Sequence, residues 1–362
     1  MIEQIGIRNF KSLKDVLITT RRLNLLAGLN GMGKSSFIQT LLLLRQSDEV
    51  AASGEMKLKG RLTDIGRGKD ALYQFASEEI IELSLFLSNK NRLRWSFHYQ
   101  PESEFLESAQ RYSPEIMTEL LSGLQYLSAE RVGPMVMYEA SLPSVYAENL
   151  GVRGEYAVHF LHVSGNRFKI DKRLKHDGTE ELTLMNQVNG WLGEISPGIK
   201  LNVTELPGVD KMLLGYQFSL GTGRTDLFRP VNAGFGISYV LSVIVSLLVS
   251  RKNSILIIEN PEAHIHPRGQ AELGKLMALS SASGAQLFVE THSDHIINGV
   301  RVAVREKRID KNDVNFSYFT KKTTRDEQYS EITEIKVDER GELSEYPKDF
   351  LDEWNNQLLK LV

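Results

Sequence analysis

Cysteine and long apolar segments are both missing from this chain of 362 residues. Without cysteine the protein has no disulfide bond and no thiolate metal site, which fits a reducing compartment. The longest apolar run, Val240–Val249, is too short to cross a bilayer and includes two serines. The first residues, Met1–Ile5, lack the basic and apolar layout of a signal peptide. We therefore expect a cytoplasmic protein that does not engage a membrane.

An excess of either charge is also missing, because the formal net charge is only -3 at pH 7. This balance argues against wholesale coating of nucleic acid, although a local basic patch is compatible with it. The sequence contains no internal repeat and no long heptad run, so we expect no long coiled coil. Hydrophobic residues at 41% and charged residues at 25% are ordinary for a soluble globular protein, and the length allows one large or two ordinary domains.

A glycine-rich stretch, Gly28–Ser35 (GLNGMGKS), is the most informative feature that is present. It fits the G-x-x-x-x-G-K-[ST] pattern, and it lies between a short apolar segment, Leu23–Ala27, and a leucine-rich segment that predicts a helix. Glycines leave main-chain N–H groups free to surround phosphate oxygens, lysine adds a full positive charge, and the serine hydroxyl is a ligand for Mg²⁺. The predicted nucleotide-binding residues are Asn30, Gly31, Met32, Gly33, Lys34, Ser35 and Ser36. The alternative is a plain glycine turn between a strand and a helix.

Two carboxylates follow a second buried strand, Ile255–Ile258. Because ligands of open α/β sheets bind at the carboxyl ends of strands, Glu259 is predicted to reach the magnesium ion and Glu262 to orient the attacking water. Ser35 and Glu259 are thus the predicted metal ligands, and ATP and Mg²⁺ the predicted cofactors. The alternative is an acidic turn that caps the next helix.

A polar cluster ends a third short strand, at Thr291–Asp294. His292 is predicted to contact the γ-phosphate and to report its loss. The alternative is a capping cluster, because Ser293 and Asp294 are both good residues for starting the helix that follows.

Taken together, these motifs resemble the ATPase heads of the ABC type, in the branch that contains the RecF and SMC proteins and the ATPase part of the OLD nucleases. Within that branch the chain is most similar to stand-alone AAA ATPases often found in anti-phage defence loci. The segments that carry the resemblance are 5–13, the glycine stretch, 259–267, 291–293, 126–134 and 346–350.

The resemblance implies that two heads sandwich two ATP molecules and that each offers a signature loop to the partner's γ-phosphate. The matching residues are Gly234, Gly236 and Ser238, just before a predicted buried helix over 237–249. The family's Ser-Gly-Gly pattern is not intact here, so an ordinary turn that starts a helix is the alternative. A second departure is Asn260, which stands where the family commonly has its catalytic glutamate. An amide cannot accept a proton, so either Glu262 takes this task or hydrolysis is slow.

The resemblance and the strand pattern predict an α/β fold, an ABC-ATPase head with a P-loop, a mixed or parallel central sheet, an antiparallel β-subdomain and a helical insertion or side lobe. The predicted segments are 1–100 and 228–362 for the two halves of the head and 101–227 for the insertion. Strict alternation over 80–99 predicts a hairpin that turns at 88–91, and a helix is expected over 349–361.

The predicted function is an ATPase whose ATP-dependent homodimer, or higher homo-oligomer, controls an effector protein encoded nearby or engages nucleic acid, in anti-phage defence or DNA maintenance. The alternative is a slow or non-hydrolysing ATP-bound scaffold that recruits an effector. A self-contained OLD-like nuclease is not expected, because the segment after His295 lacks a clustered acidic motif. Basic segments at 167–175 and 301–311 are interpreted as solvated faces, with contact to a phosphodiester backbone as the alternative. His264 and His266 are not expected to hold a metal. Arg131, Arg153 and Arg224 are candidates for contact with the nucleotide or the partner head, and the sequence does not decide their task.

Overall fold

The computed structural model describes residues 1–47, 54–108, 121, 123–352 and 357–361. The chain divides into two compact units. The first unit comprises Met1–Leu124, Lys311–Asp338 and Glu342–Val362, and the second comprises Gln125–Asp310 and Glu339–Gly341. The predicted boundary between residues 227 and 228 lies inside the second unit, and the segment from 311 onward returns almost entirely to the first. The division into two head halves and an insertion stays a prediction.

The elements are named here in chain order. The described strands are β1 (Ile2–Phe10), β2 (Leu13–Thr19), β3 (Leu23–Gly28), β4 (Glu55–Lys57), β5 (Ile80–Leu87), β6 (Arg92–His98), β7 (Phe105–Glu107), β8 (Leu124–Leu127), β9 (Tyr138–Glu139), β10 (Ile199–Glu205), β11 (Lys211–Leu220), β12 (Gly223–Arg224), β13 (Ile255–Glu259), β14 (Gln286–Glu290), β15 (Val314–Thr323) and β16 (Gln328–Ile335). The described α-helices are α1 (Lys34–Ser47), α2 (Gly68–Ala71), α3 (Leu142–Tyr146), α4 (Ala157–Ser164), α5 (Leu184–Ile195), α6 (Phe235–Val249), α7 (Pro267–Ala282) and α8 (Asp294–Arg305).

The first unit contains an antiparallel sheet in the order β2-β1-β5-β6. Every second residue of β5 is buried, and Leu83 lies opposite Trp95 while Ile81 lies opposite Phe97. Such cross-strand apolar pairs stabilise one face of a sheet. The predicted hairpin over 80–99 is therefore confirmed.

A second sheet of the first unit carries the glycine stretch. In it β3 pairs with β15 in parallel, and β15 pairs with β16 in an antiparallel manner. Residues Leu23–Ala27 of β3 are all buried, which explains why this strand is a nearly continuous apolar run. The arrangement is mixed, as predicted, and it places the glycine stretch at the carboxyl end of β3.

The second unit contains the strands β14, β13 and β8 in this order, and β13 and β14 are parallel. Glu259 and Glu290 are paired at the carboxyl ends of β13 and β14. Helix α6 is buried on nearly every face, from Ile237 to Val249, as its sequence predicts. The parallel register brings the acidic strand end and the polar cluster after β14 to the same edge of this unit.

The segment predicted as a helical insertion is only partly helical. It includes α3, α4 and α5, but also an antiparallel pair of strands, β10 and β11. The alternation Ile199, Leu201, Val203 has the two-residue period of a strand, a signal that the sequence reading passed over. At the other end of the chain, Asp349 and Leu351 have positive φ angles of 64° and 60°, so no helix starts at 349. Residues 353–356 of that predicted helix lie outside the described residues, and residues 357–359 are helical as predicted.

Candidate functional site

The glycine stretch of the first unit forms a loop between β3 and α1. Gly31 and Gly33 have φ angles of 77° and 106°, a region that favours glycine, and α1 begins directly afterwards at Lys34. The first turn of a helix leaves its N–H groups without intrahelical partners, so the loop and the helix start together present donors to an anion. The structure therefore brings the predicted residues 30–36 into one loop and helix start.

Lys34 closes this loop from within. Its Nζ atom donates to the carbonyl oxygens of Gly28 at 2.8 Å and of Leu29 at 2.9 Å. The residue is only 3% exposed, whereas Asn30, Gly31 and Ser35 are exposed. A buried ammonium inside a loop of main-chain donors suits a phosphate group, and the hydroxyl of Ser35 is an oxygen ligand of the kind that Mg²⁺ prefers.

Two serines of the first unit support Gly33. The Oγ atom of Ser330 lies 2.8 Å from the Oγ atom of Ser12, and the N–H of Ser330 donates to the carbonyl of Ser12 at 2.8 Å. A side chain at position 33 would collide with the hydroxyl of Ser330 and would lie 3.0 Å from the hydroxyl of Ser12. Ser12 belongs to the segment that carries the resemblance, but no sequence signal pointed to Ser330, which approaches only because β16 returns to this unit.

In the second unit, Glu259 is held at the end of β13. Its Oε2 atom accepts a hydrogen bond from the N–H of Ala129 at 3.1 Å, and the hydroxyl of Tyr126 also donates to this carboxylate. Burial raises the pKa of Glu259, while these hydrogen bonds and the charge of Arg131 act in the opposite direction. A divalent cation would favour the ionised form of this carboxylate, so the residue fits the predicted metal ligand.

Glu262 is tied to the polar cluster that follows β14. Its two carboxylate oxygens accept from the hydroxyl of Thr291 at 2.9 Å and from the N–H of His292 at 2.7 Å. The structure thus brings Glu262 and His292 together, although the contact uses the main chain of His292 and not its ring. The task of the ring stays a prediction.

Both capping alternatives have a definite outcome. Ser293 does cap α8, because its Oγ atom accepts from the N–H of Ile296 at 3.1 Å. The acidic turn, in contrast, does not cap α7: that helix is capped by His266, whose Nδ1 atom accepts from the N–H of Arg268 at 3.3 Å. Across the described residues, no group of His, Asp and Glu side chains is arranged to hold a metal ion by itself.

Asn260 stands between the two carboxylates in a left-handed conformation, with φ of 44°. Asparagine adopts this conformation more readily than other residues that carry a side chain, which gives a backbone reason for an amide at this position. Its N–H donates to the carbonyl of Glu290 at 2.8 Å. Its Oδ1 atom is buried and accepts no hydrogen bond from any residue that the structure describes.

Arg131 is a residue of this site whose contacts the sequence did not decide. It is only 2% exposed, and its guanidinium donates to the carbonyl oxygens of Ser128 at 2.9 Å, Glu259 at 2.5 Å, Asn260 at 2.6 Å and Tyr239 at 3.2 Å. Burial lowers its pKa to about 10. The guanidinium therefore holds the main chain of the acidic turn through its hydrogen bonds to Glu259 and Asn260.

The segment predicted as a signature loop lies at the start of α6. Gly234 is the N-cap residue, and Gly236 packs so closely on the carbonyl of His264 that a side chain there would collide with it. Ser238 is 5% exposed, and its hydroxyl lies 2.8 Å from the hydroxyl of Tyr216. Gly234 is thus exposed at the helix start, whereas Gly236 is buried and the hydroxyl of Ser238 faces the interior of the unit. Binding of a nucleotide by these three residues stays a prediction.

Residues 23–298 match the protein family described as "AAA domain, putative AbiEii toxin, Type IV TA system". The chain belongs to this family. Residues 309–361 match a second family, described as "Protein of unknown function (DUF3696)". No curated protein matches the sequence.

Solved structures that resemble this AAA family member are heads of SMC proteins. One is a crystal structure of the SmcHead bound to the C-winged helix domain of ScpA, with a TM-score of 0.51, 13% identity, and coverage of 93% of this chain and 98% of that chain. Another is the Smc head domain with an extended coiled coil bound to the C-terminal domain of ScpA derived from Pyrococcus furiosus, with a TM-score of 0.52, 13% identity and 99% coverage of each chain. The predicted ABC-ATPase head fold is therefore confirmed, and the matched family is one of AAA domains.

Members of such families typically use ATP and Mg²⁺. Among the helices within the described ranges, none is long and apolar enough to cross a membrane.

Proposed function

We propose that this chain binds MgATP through the loop Asn30–Ser36 and hydrolyses it with the help of Glu259 and Glu262. The observation that carries the proposal is the closed glycine loop, in which Lys34 is buried and bonded to the carbonyls of Gly28 and Leu29 at the start of α1. A bare turn between a strand and a helix needs neither a buried ammonium nor two glycines with positive φ. When bound, the magnesium ion supplies charge neutralisation on the phosphates.

Glu262 is the side chain best suited to orient water. Asn260 is an amide and accepts no proton, whereas Glu262 keeps a carboxylate that is fixed by Thr291 and His292. A carboxylate held by two donors has a defined direction, which is what positioning of a nucleophile requires. His292 and Ser35 complete the proposed set, as a γ-phosphate contact and a magnesium ligand.

We further propose that ATP drives two copies to pair, with Gly234 and Gly236 at the partner's nucleotide, and that the pair controls an effector protein or engages nucleic acid. The solved heads bind ScpA, which supports a protein partner here. The family description names a toxin and a type IV toxin–antitoxin system, which supports a role in anti-phage defence. Gly234 at the start of α6 is exposed, as such a role requires, whereas Gly236 is buried against the carbonyl of His264.

The second candidate is an ATP-bound scaffold that hydrolyses barely at all and recruits an effector. The amide at position 260 favours it, because the residue directly after the metal ligand has no basic group. The two candidates are distinguished by their steady-state rate of phosphate release.

The decisive experiment is Glu262→Gln, with Glu272→Gln as its control. Glu262→Gln should bind ATP like the parent, lower phosphate release by about 100-fold or more, and accumulate an ATP-bound dimer in size-exclusion chromatography. Glu272 lies on α7 and pairs with Lys275 at 2.9 Å, so its amide variant changes the charge without touching the acidic turn. Lys34→Ala, as the binding control, should lose ATP affinity in calorimetry.

If Glu262→Gln releases phosphate at the parent's rate, Glu262 does not position the water. A parent protein that pairs with ATP and releases no phosphate, with or without DNA, supports the scaffold. Unchanged ATP affinity in Lys34→Ala would remove the binding proposal itself.

A further inference from the structure

Arg131 connects two segments of the second unit that the proposed function uses for different tasks. One is the first turns of α6, which the proposal places at the partner's ATP, and the other is the acidic turn, Glu259–Glu262, which it places at the chain's own ATP. We propose that Arg131 is a positioning residue that couples these two segments, so that engagement of α6 by a second copy sets the direction of Glu262. The inference rests on the proposed function and deepens it by naming how the partner regulates hydrolysis.

The coupling begins with a single side chain that holds both segments. On the side of α6, the Nε atom of Arg131 donates to the carbonyl of Tyr239 at 3.2 Å, and the guanidinium lies 5.6 Å from the centre of the Tyr239 ring. On the side of the acidic turn, Nη1 and Nη2 donate to the carbonyls of Glu259 and Asn260 at 2.5 and 2.6 Å. Because a guanidinium is planar and rigid, its donors on the two sides cannot move independently.

A second contact ties the far side of the acidic turn to the same helix. The ring of His264 packs edge-on against the rings of Phe235 and Tyr239, with centroids 4.8 and 4.9 Å apart. Gly236 lies against the carbonyl of His264. The segment that carries Glu262 is therefore fixed to α6 on both sides of this residue. Arg131 holds Glu259 and Asn260, which precede Glu262, and His264 follows it.

Glu262 is also attached to the strand end that follows β14. Its bonds to Thr291 and His292 mean that a shift of the turn must either carry those residues along or break two hydrogen bonds. A movement of α6 consequently reaches Glu262 through rigid contacts, and misplacement of a catalytic group by about 1 Å lowers turnover by about 100-fold.

The test compares Arg131→Met and Arg131→Lys with the parent and with Arg173→Met. Arg173 is a matched control: it also joins segments of the second unit, by donating to the carbonyls of Ala282 and Ser283, and it makes no contact with the acidic turn in the described structure. The measurements are ATP affinity, and the kcat and Hill coefficient of phosphate release.

For Arg131→Met we expect unchanged ATP affinity, a fall in kcat of about 100-fold and a Hill coefficient reduced to one. Arg131→Lys keeps the charge but replaces the fork with a single ammonium, so it should also lose the cooperativity. Arg173→Met should match the parent in ATP affinity, kcat and Hill coefficient.

If Arg131→Met does not fold, as judged by circular dichroism, Tyr239→Leu tests the same joint. It removes the ring that faces the guanidinium and keeps the four carbonyl acceptors, and it should lower the Hill coefficient. A parent-like Hill coefficient in Arg131→Met, or in Tyr239→Leu if that variant is needed, overturns the coupling.

The outcomes also separate this inference from the function on which it rests. The proposed function fails if the parent neither binds ATP nor pairs, and the coupling fails with it. If the parent pairs and turns over but the Arg131 and Tyr239 variants keep its cooperativity, the coupling alone is wrong. A parent that pairs without turnover also rules it out, because there is then no hydrolysis for α6 to control.

Discussion

Gly236 offers a direct test of how closely α6 approaches the acidic turn. A Cβ atom at this position would collide with the carbonyl oxygen of His264 and would lie 3.0 Å from its carbonyl carbon. Both atoms belong to the main chain, so they cannot rotate away as a side chain would. We therefore expect Gly236→Ala to push α6 away from the turn or to distort one of them.

The magnitude follows from two opposing effects. Overpacking against a fixed neighbour costs about 3 kcal/mol at the upper end of its usual range. Alanine in place of glycine inside a helix returns about 1 kcal/mol. The net loss of about 2 kcal/mol should lower the unfolding temperature by about 4–8 °C, since 1 kcal/mol corresponds to about 2–4 °C in domains of this size.

Gly193 is the matched control, because it also lies in a helix of the second unit, α5. A Cβ atom there has nothing within 4 Å, so Gly193→Ala should gain the helix propensity without a collision. Its unfolding temperature should rise, by about 2–4 °C for about 1 kcal/mol. The two variants are thus expected to change stability in opposite directions for the same chemical change.

Thermal unfolding followed by circular dichroism measures both variants under identical conditions. The reasoning is refuted if Gly236→Ala is as stable as the parent while Gly193→Ala gains stability as expected. In that case α6 does not approach His264 closely, and the route from α6 to Glu262 through His264 is lost as well.

Two further predictions concern Glu259 and Gly33. Burial raises the folded-state pKa of Glu259 above its unfolded value, so its contribution to stability is fully present below the unfolded pKa and is lost as the pH rises through the folded pKa. Glu259→Gln should therefore raise the unfolding temperature at about pH 8 and raise it less at about pH 4; equal gains at both pH values would contradict this. Gly33→Ala combines a φ of 106° with a collision at Ser330, and strain of about 1–2 kcal/mol should weaken ATP binding by about 10-fold in calorimetry. Adding Ser330→Gly removes only the collision and should restore part of that affinity, whereas complete recovery would show that the backbone conformation does not matter.

Sequence patterns predicted the local elements of this protein well. A mostly apolar segment of five residues before a glycine stretch and a leucine-rich segment after it are sufficient to predict β3, the loop and α1, because each depends on neighbours in the chain. The same holds for the β5–β6 hairpin, where strict alternation determines which face is buried. The alternation in β10 was also present, but the polar and mixed composition of 101–227 favoured a helical insertion instead, and the expected helix does not start at 349.

The residues of the candidate site likewise fall into two groups: those that a sequence motif indicates, and those that only the tertiary structure brings to the site. Lys34, Glu259, Glu262 and His292 stand in short motifs with a recognisable spacing, so the residue types alone indicated phosphate, metal and water chemistry. Ser330, which meets Gly33, and Tyr216, which binds the hydroxyl of Ser238, belong to no motif. Their contacts depend on strands that return from distant parts of the chain.

Sequence alone therefore determined which chemistry we propose for this protein, because motifs are local and each residue type has a limited set of ligands. Tertiary structure alone decided that Arg131 clamps the carbonyls of Glu259 and Asn260 to that of Tyr239, and that an asparagine at 260 suits a left-handed turn. The physical reason is that a buried guanidinium is stable only where several carbonyl groups converge on it. That convergence joins residues more than a hundred positions apart, and no spacing within the sequence can reveal it.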